Sequence, residues 1–141
     1  MNNQCCISDK EPVNLPTMDE EHWNNVLKRM KYQLQGLAMP AEIQVQLFPD
    51  FVCKGDELAE DYCHWCLVVL GNDEGRLTEQ QRMLLIGLDN YFDRIPIQSM
   101  GEPLWTDEGI KTRSEWEEIR VMATELLSAF GWPVEKPAEP I

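Results

Sequence analysis

Apolar residues recur at helical spacing in four stretches of the chain. Trp23, Leu27, Met30, Leu34 and Leu37 form the first stripe. Leu58, Tyr62, Trp65, Cys66 and Val69 form the second. Leu84, Leu88, Tyr91 and Ile95, broadened by Met83, Leu85 and Phe92, form the third, and Trp116, Ile119, Ala123, Leu126 and Phe130 the fourth. Steps of three and four residues keep such positions on one side of a helix with about 3.6 residues per turn. Polar residues mark where each helix starts and stops. Thr17 with Glu20, Thr78 with Gln81 and Ser114 with Glu117 have the spacing of capping boxes, in which each side chain satisfies the other residue's free backbone N–H. Asp19, Glu20 and Glu21 precede Lys28, Arg29 and Lys31, the order that a helix dipole favours. Gly36 with Pro40, Gly71, Pro96, and Gly131 with Pro133 are the stop signals, because glycine enters the left-handed region freely and proline cannot continue a helix. In a Schellman closure at Gly131, Trp132 folds back on Leu127. The pattern predicts helices over residues 17–37, 56–70, 78–95 and 114–130.

The stretch from Gly55 to Gly71 stands out. Asp56, Glu57, Glu60 and Asp61 crowd its first half, and Trp65 to Leu70 is almost wholly apolar. A helix that is polar where it starts and apolar all round where it ends is expected to run from water into the core, with Trp65 buried. Residues 41–48 alternate apolar and polar, which is the strand period, but Pro40 suits the first position of a short helix. A lone strand would have no ladder partner, so a short helix is expected there. Residues 96–111, with Pro96, Gly101, Pro103 and Gly109, read as a long connection of the kind that often carries function. Leu104 and Trp105 are expected to pin it, with Trp105 as its exposed aromatic anchor. The expected fold is all-α: an irregular bundle of four long helices plus one short helix, with a long loop before the last helix. Residues 1–16 read as a flexible arm, 17–132 as a single helical domain, and 133–141 as a frayed tail.

Composition adds one unusual quantity. Apolar residues at 43% and charged residues at 26% are ordinary for a globular domain of 141 residues. The 25 acids against 12 bases, a formal charge of −13, are not ordinary. Such a field repels phosphates, so nucleic acid is not an expected partner. It attracts a basic protein and speeds the encounter, while the same charge also serves solubility. The acids concentrate in two places. Residues 50–79 hold eight acids and two bases, and residues 102–118 hold six acids and two bases. No secretion signal is visible, and no run approaches the ~18 apolar residues of a membrane span. A cytoplasmic protein with reduced thiols is therefore expected, and the five cysteines are an odd number.

Cys53, Cys63, His64 and Cys66 are the sharpest candidate for chemistry. Cys63 and Cys66 are three apart and could reach one zinc ion, but His64 is turned about 100° from Cys63 and no second C-x-x-C completes a zinc pattern. Buried free cysteines are the plainer reading. His22 and His64 are the only histidines, and neither neighbours a nucleophile. His64 is expected to pair with Glu60. No phosphate-binding, dinucleotide or metalloprotease motif is present, so neither catalysis nor a cofactor is expected.

In size, acidity and helical content the chain is similar to two classes of small proteins: immunity proteins that neutralise nuclease toxins, and inhibitors that mimic DNA. The likeness is one of composition. It implies a non-enzymatic binding protein that covers the basic site of a partner with Asp56, Glu57, Glu60 and Asp61, joined by Asp73, Glu74 and the anchor Trp105. A helical adaptor, or a small metal-binding domain using Cys63 and Cys66, are the alternatives.

Overall fold

The computed structural model describes residues 18–95 and 103–139. Their regular structure is all helical, with no strand among them, as the periodicity requires. The elements are α1 (Glu20–Ala38), α2 (Ala41–Gln44), α3 (Lys54–Gly71), α4 (Glu79–Arg94), a 3₁₀ turn (Pro103–Trp105), α5 (Asp107–Thr112) and α6 (Ser114–Phe130). Helix α1 packs on α3 and α6, and α4 packs on the same two, so the four long helices enclose one core. Gln33 reaches the Leu58 carbonyl at the start of α3, while the Arg76 guanidinium beyond the end of α3 lies over Trp23 at the start of α1. Helices α1 and α3 therefore run antiparallel. Met30, Leu34, Leu37, Leu58, Tyr62, Leu85, Leu88, Ile110, Trp116, Ile119, Leu126 and Leu127 are fully buried between them.

The core faces are shifted by one position from several of the expected stripes. In α1, Val26 is buried where Leu27 was expected, and in α4 the buried apolar residues are Leu85, Leu88 and Phe92 while Met83 is 62% exposed. Trp65 is only half-buried. In each case the stripe contains more apolar residues than one face can bury, and packing selects among them. The second half of α1 departs further, because Tyr32 to Leu37 is buried on every side. Its two glutamines are satisfied there: Gln33 donates to Leu58, and Gln35 donates to the Pro133 carbonyl at 3.0 Å, which ties the start of the C-terminal tail to the bundle.

The helix ends test the capping logic one by one. Thr78 and Gln81 form the expected capping box, with reciprocal bonds of 3.0 and 2.9 Å. At α1 the cap is instead Asp19, whose carboxylate accepts from the His22 N–H at 2.8 Å. Thr17 lies outside the described residues, as do the arm 1–16 and residues 96–102. At α6 the expected box is replaced. A single residue, Arg113, closes α5 and opens α6, so Ser114 is already helical and its hydroxyl is not the cap. Gly71 does not adopt the left-handed conformation. It remains in α3, and the Asn72 amide donates to the Val68 carbonyl at 2.8 Å to satisfy the helix end. Gly131, at φ 75°, does make a Schellman closure, with Trp132 N–H on the Leu127 carbonyl and Gly131 N–H on that of Ser128. The Trp132 ring also stacks on Phe130 at 4.3 Å.

The short element at 41–44 ends α1 from outside. Fully buried Gln44 donates to the Gly36 and Leu37 carbonyls at 3.2 and 3.0 Å, two groups that the helix end leaves without intrahelical partners. Its amide oxygen accepts from Arg120, which also bonds Glu117 and the Ile110 carbonyl. One arginine thus ties α2, α5 and α6 together. The segment expected as a long loop is structured in its described part: Leu104 and Trp105 form the 3₁₀ turn, and Thr106 caps α5 through the Gly109 N–H.

Candidate functional site

The acidic half of α3 begins on a fixed base. Lys54, 4% exposed, places its ammonium 2.9 Å from Asp107 and 3.6 Å from Asp50. The Asp107 hydrogen bond raises the Lys54 pKa above the ordinary lysine range and so keeps the ammonium charged. Gly55 presses on the 3₁₀ turn so closely that an added Cβ would stand 2.8 Å from the Trp105 carbonyl oxygen. From this base Asp56, Glu57 and Asp61 emerge half-buried and Glu60 exposed. Among the described residues none of the four forms an ion pair with a lysine or arginine. Asp56 with Glu60, and Glu57 with Asp61, are like charges one turn apart, an arrangement that opposes helix stability. Burial first, and then the charges of Glu57 and Glu60, push the Asp61 carboxyl above its usual range, with His64 acting the other way.

The other expected contact residues divide. Glu74 is exposed and takes a left-handed conformation (φ 46°) next to Gly75. Asp73 is buried: one carboxylate oxygen accepts from the Leu77 N–H at 2.8 Å, and the other receives two Arg82 donors at 2.9 and 2.7 Å. It holds the turn between α3 and α4. Trp105 is not the exposed anchor. It is 5% exposed, meets Trp116 edge-on at 6.1 Å, and its own indole N–H has no acceptor among the described residues. Its place is fixed because Trp116 donates to the adjacent Leu104 carbonyl at 2.7 Å and Gly55 lies against its backbone. The exposed aromatic ring is Phe51, 87% exposed in the turn that leads into α3. A lone apolar residue beside proline and aspartate carries no periodicity that could report its exposure.

Among the described cysteines, Cys63 and Cys66 are buried and Cys53 is exposed. Cys63 donates to Asp89 at 3.6 Å and Cys66 to the Leu85 carbonyl at 3.8 Å, both inside the core. Cys53 donates to the Trp105 carbonyl, and burial raises its thiol pKa. His64 meets the Trp65 ring edge-on at 4.7 Å rather than pairing with Glu60. Among the described residues no three His, Cys, Asp or Glu side chains converge on a possible metal position. No family model, curated protein or solved structure matches the chain. Among the described residues no helix is long and apolar enough to cross a membrane.

Surface grooves also lie between the described helices. One, of about 340 Å³, lies between α1 and α3 and is lined by His22, Asn25, Val26, Arg29, Trp65 and Val68. Another, of about 480 Å³, lies between α4 and α6 and is lined by Gln80, Leu84, Glu125, Ser128 and Ala129. Neither is announced by the sequence, because each is lined by residues of two helices that are distant in the chain.

Proposed function

We propose that the protein is a non-enzymatic acidic binding module of the inhibitor or immunity type. It acts in the cytoplasm and docks the first half of α3 on a basic protein, such as a nuclease toxin domain, whose active site it covers. The observation that carries the reading is that Asp56, Glu57, Glu60 and Asp61 stand within two turns of one helix, with no lysine or arginine paired to them among the described residues. Elsewhere carboxylates such as Asp73, Asp107 and Glu117 are already engaged by arginine or lysine. A helix clamped through Lys54 and Gly55 also holds the four charges in place before binding, which reduces the ordering cost of association. Phe51 replaces Trp105 as the aromatic anchor in this reading, since exposed aromatic rings supply much of the energy at interfaces and charges supply rate. Glu74 is exposed but lies beyond the far end of α3, whereas Asp73 and Trp105 belong to the fold.

The test is binding kinetics with a basic nuclease partner captured from the native host. Reversing Asp56, Glu57, Glu60 and Asp61 to lysine is expected to slow association by about ten- to a thousandfold. The wild-type on-rate should fall steeply with salt, since exposed charges are screened beyond ~8 Å at physiological ionic strength. An on-rate indifferent to both salt and reversal overturns the proposal.

A further inference from the structure

We infer that the groove between α1 and α3 is a binding site for a small aromatic or branched aliphatic carboxylate. The groove lies beside the acidic docking face but does not depend on it. Its floor is apolar: Val26 is buried, and Val68 and the Trp65 ring are half-buried, so a flat apolar body placed there would remove exposed hydrocarbon from water. Its volume of about 340 Å³ is at the small end of the ~300–1,000 Å³ typical of ligand sites, the size for a ligand of one or two rings.

Charge selects the head group. In a chain of net charge −13, the charged side chain that lines this groove is the Arg29 guanidinium, and His22 lines it from the same helix, α1. Arg29 is exposed and makes no ion pair or hydrogen bond among the described residues, although α3 opposite carries Glu57 and Asp61. A guanidinium beside an apolar floor presents a planar fork of donors that matches a carboxylate. Asn25 adds an amide on the same edge. Asp61 lies one turn before Trp65 on the opposite helix, so the ligand must enter with its carboxylate toward α1 and its ring over Trp65 and Val68.

The experiment is a titration of the isotopically labelled full chain with 2-naphthoate, the neutral 2-naphthamide and the cationic 2-naphthylmethylammonium, followed by amide and indole cross-peaks. For 2-naphthoate, saturable shifts are expected between His22 and Arg29, between Trp65 and Val68, and at the Trp65 indole N–H. A charge-assisted hydrogen bond at a solvent-open site should favour the carboxylate over the amide by about three- to tenfold. Arg29→Gln should abolish that preference while keeping the spectrum of the folded protein. Lys28→Gln, which removes an exposed charge that does not line the groove, should leave it intact. The inference is overturned if no saturable shift appears, if the shifts map elsewhere, if the cation binds as tightly as the carboxylate, or if Arg29→Gln retains the preference.

Discussion

Two glycines placed in two helices should respond to the same substitution with opposite signs. Alanine is favoured over glycine in a helix interior by up to ~1 kcal/mol, so both Gly55→Ala and Gly87→Ala would stabilise if propensity decided the outcome. At Gly87, in the middle of α4, an added Cβ has no atom within 4 Å, and the full gain of about 1 kcal/mol is expected. At Gly55 the added carbon would stand 2.8 Å from the Trp105 carbonyl oxygen, 3.1 Å from its Cα and 3.2 Å from its carbonyl carbon. All three are backbone atoms of a turn held by the Trp116–Leu104 hydrogen bond and by the Thr106 cap of α5, so relief requires the turn to lift away from α3. Overpacking of this kind costs ~1–3 kcal/mol. Subtracting the helix gain, which is smaller near the start of α3, leaves a net loss of about 1–2 kcal/mol. The two variants should therefore differ by about 2–3 kcal/mol in urea unfolding at unchanged denaturant slope, and by several degrees in Tm. Equal or greater stability of Gly55→Ala would refute the close packing of the turn on α3.

Two further outcomes follow from burial and charge. Trp116→Ala should lose ~3–5 kcal/mol, as large core truncations do, whereas half-buried Trp65→Ala should lose less than half as much; equal losses in urea would contradict the placement of Trp65. Asp61 has its folded pKa raised, so the folded state binds its proton more tightly than the unfolded chain, and ionisation destabilises the fold as pH rises above the unfolded value of ~3.9. Asp61→Asn should accordingly stabilise the protein at neutral pH and confer no gain below about pH 4, and a gain of equal size at both pH values would refute that account.

The fold was legible because helical periodicity is a long-range property of the chain. Four stripes of three- and four-residue steps located α1, α3, α4 and α6 within a few residues. What failed depends on one or two residues in competition with a neighbour. Asp19 is two residues beyond Thr17 and equally able to cap, and it does so. Ser114 lost its role because α5, a helix of one and a half turns hidden in a Gly- and Pro-containing segment, delivers the chain already at Arg113. Trp105 looked exposed because it follows an apolar residue in an expected loop. Only the absence of a side chain at Gly55, distant in sequence, admits that turn to the bundle. The acidic face was visible as composition, but its division into fold-bearing and unengaged carboxylates was not. Asp73 and Asp61 look alike in sequence, and Arg82 is what separates them.

That division gives the sharpest way to separate a docking surface from acidity that serves solubility alone. Solubility responds to net charge wherever it lies, whereas docking responds to position. Three of the chain's bases are used at junctions: Lys54 joins α3 to α5, Arg82 holds the turn before α4, and Arg120 joins α2, α5 and α6. Unpaired carboxylates are what remains on faces that no junction needs, so an unpaired cluster could arise from the placement of bases alone. A variant that moves charge without changing its sum resolves the two. Neutralising Asp56→Asn, Glu57→Gln, Glu60→Gln and Asp61→Asn while adding Asn24→Asp, Gln46→Glu, Gln80→Glu and Asn90→Asp keeps the net charge at −13, and all four new acids lie at exposed positions. Surface changes of this kind typically alter stability by about 0.5 kcal/mol each or less. If position matters, this variant should remain soluble and folded yet associate with the basic partner about ten- to a thousandfold more slowly than the wild type at low salt. If it associates at the wild-type rate, the field of the whole molecule suffices, and the first half of α3 is not the docking face.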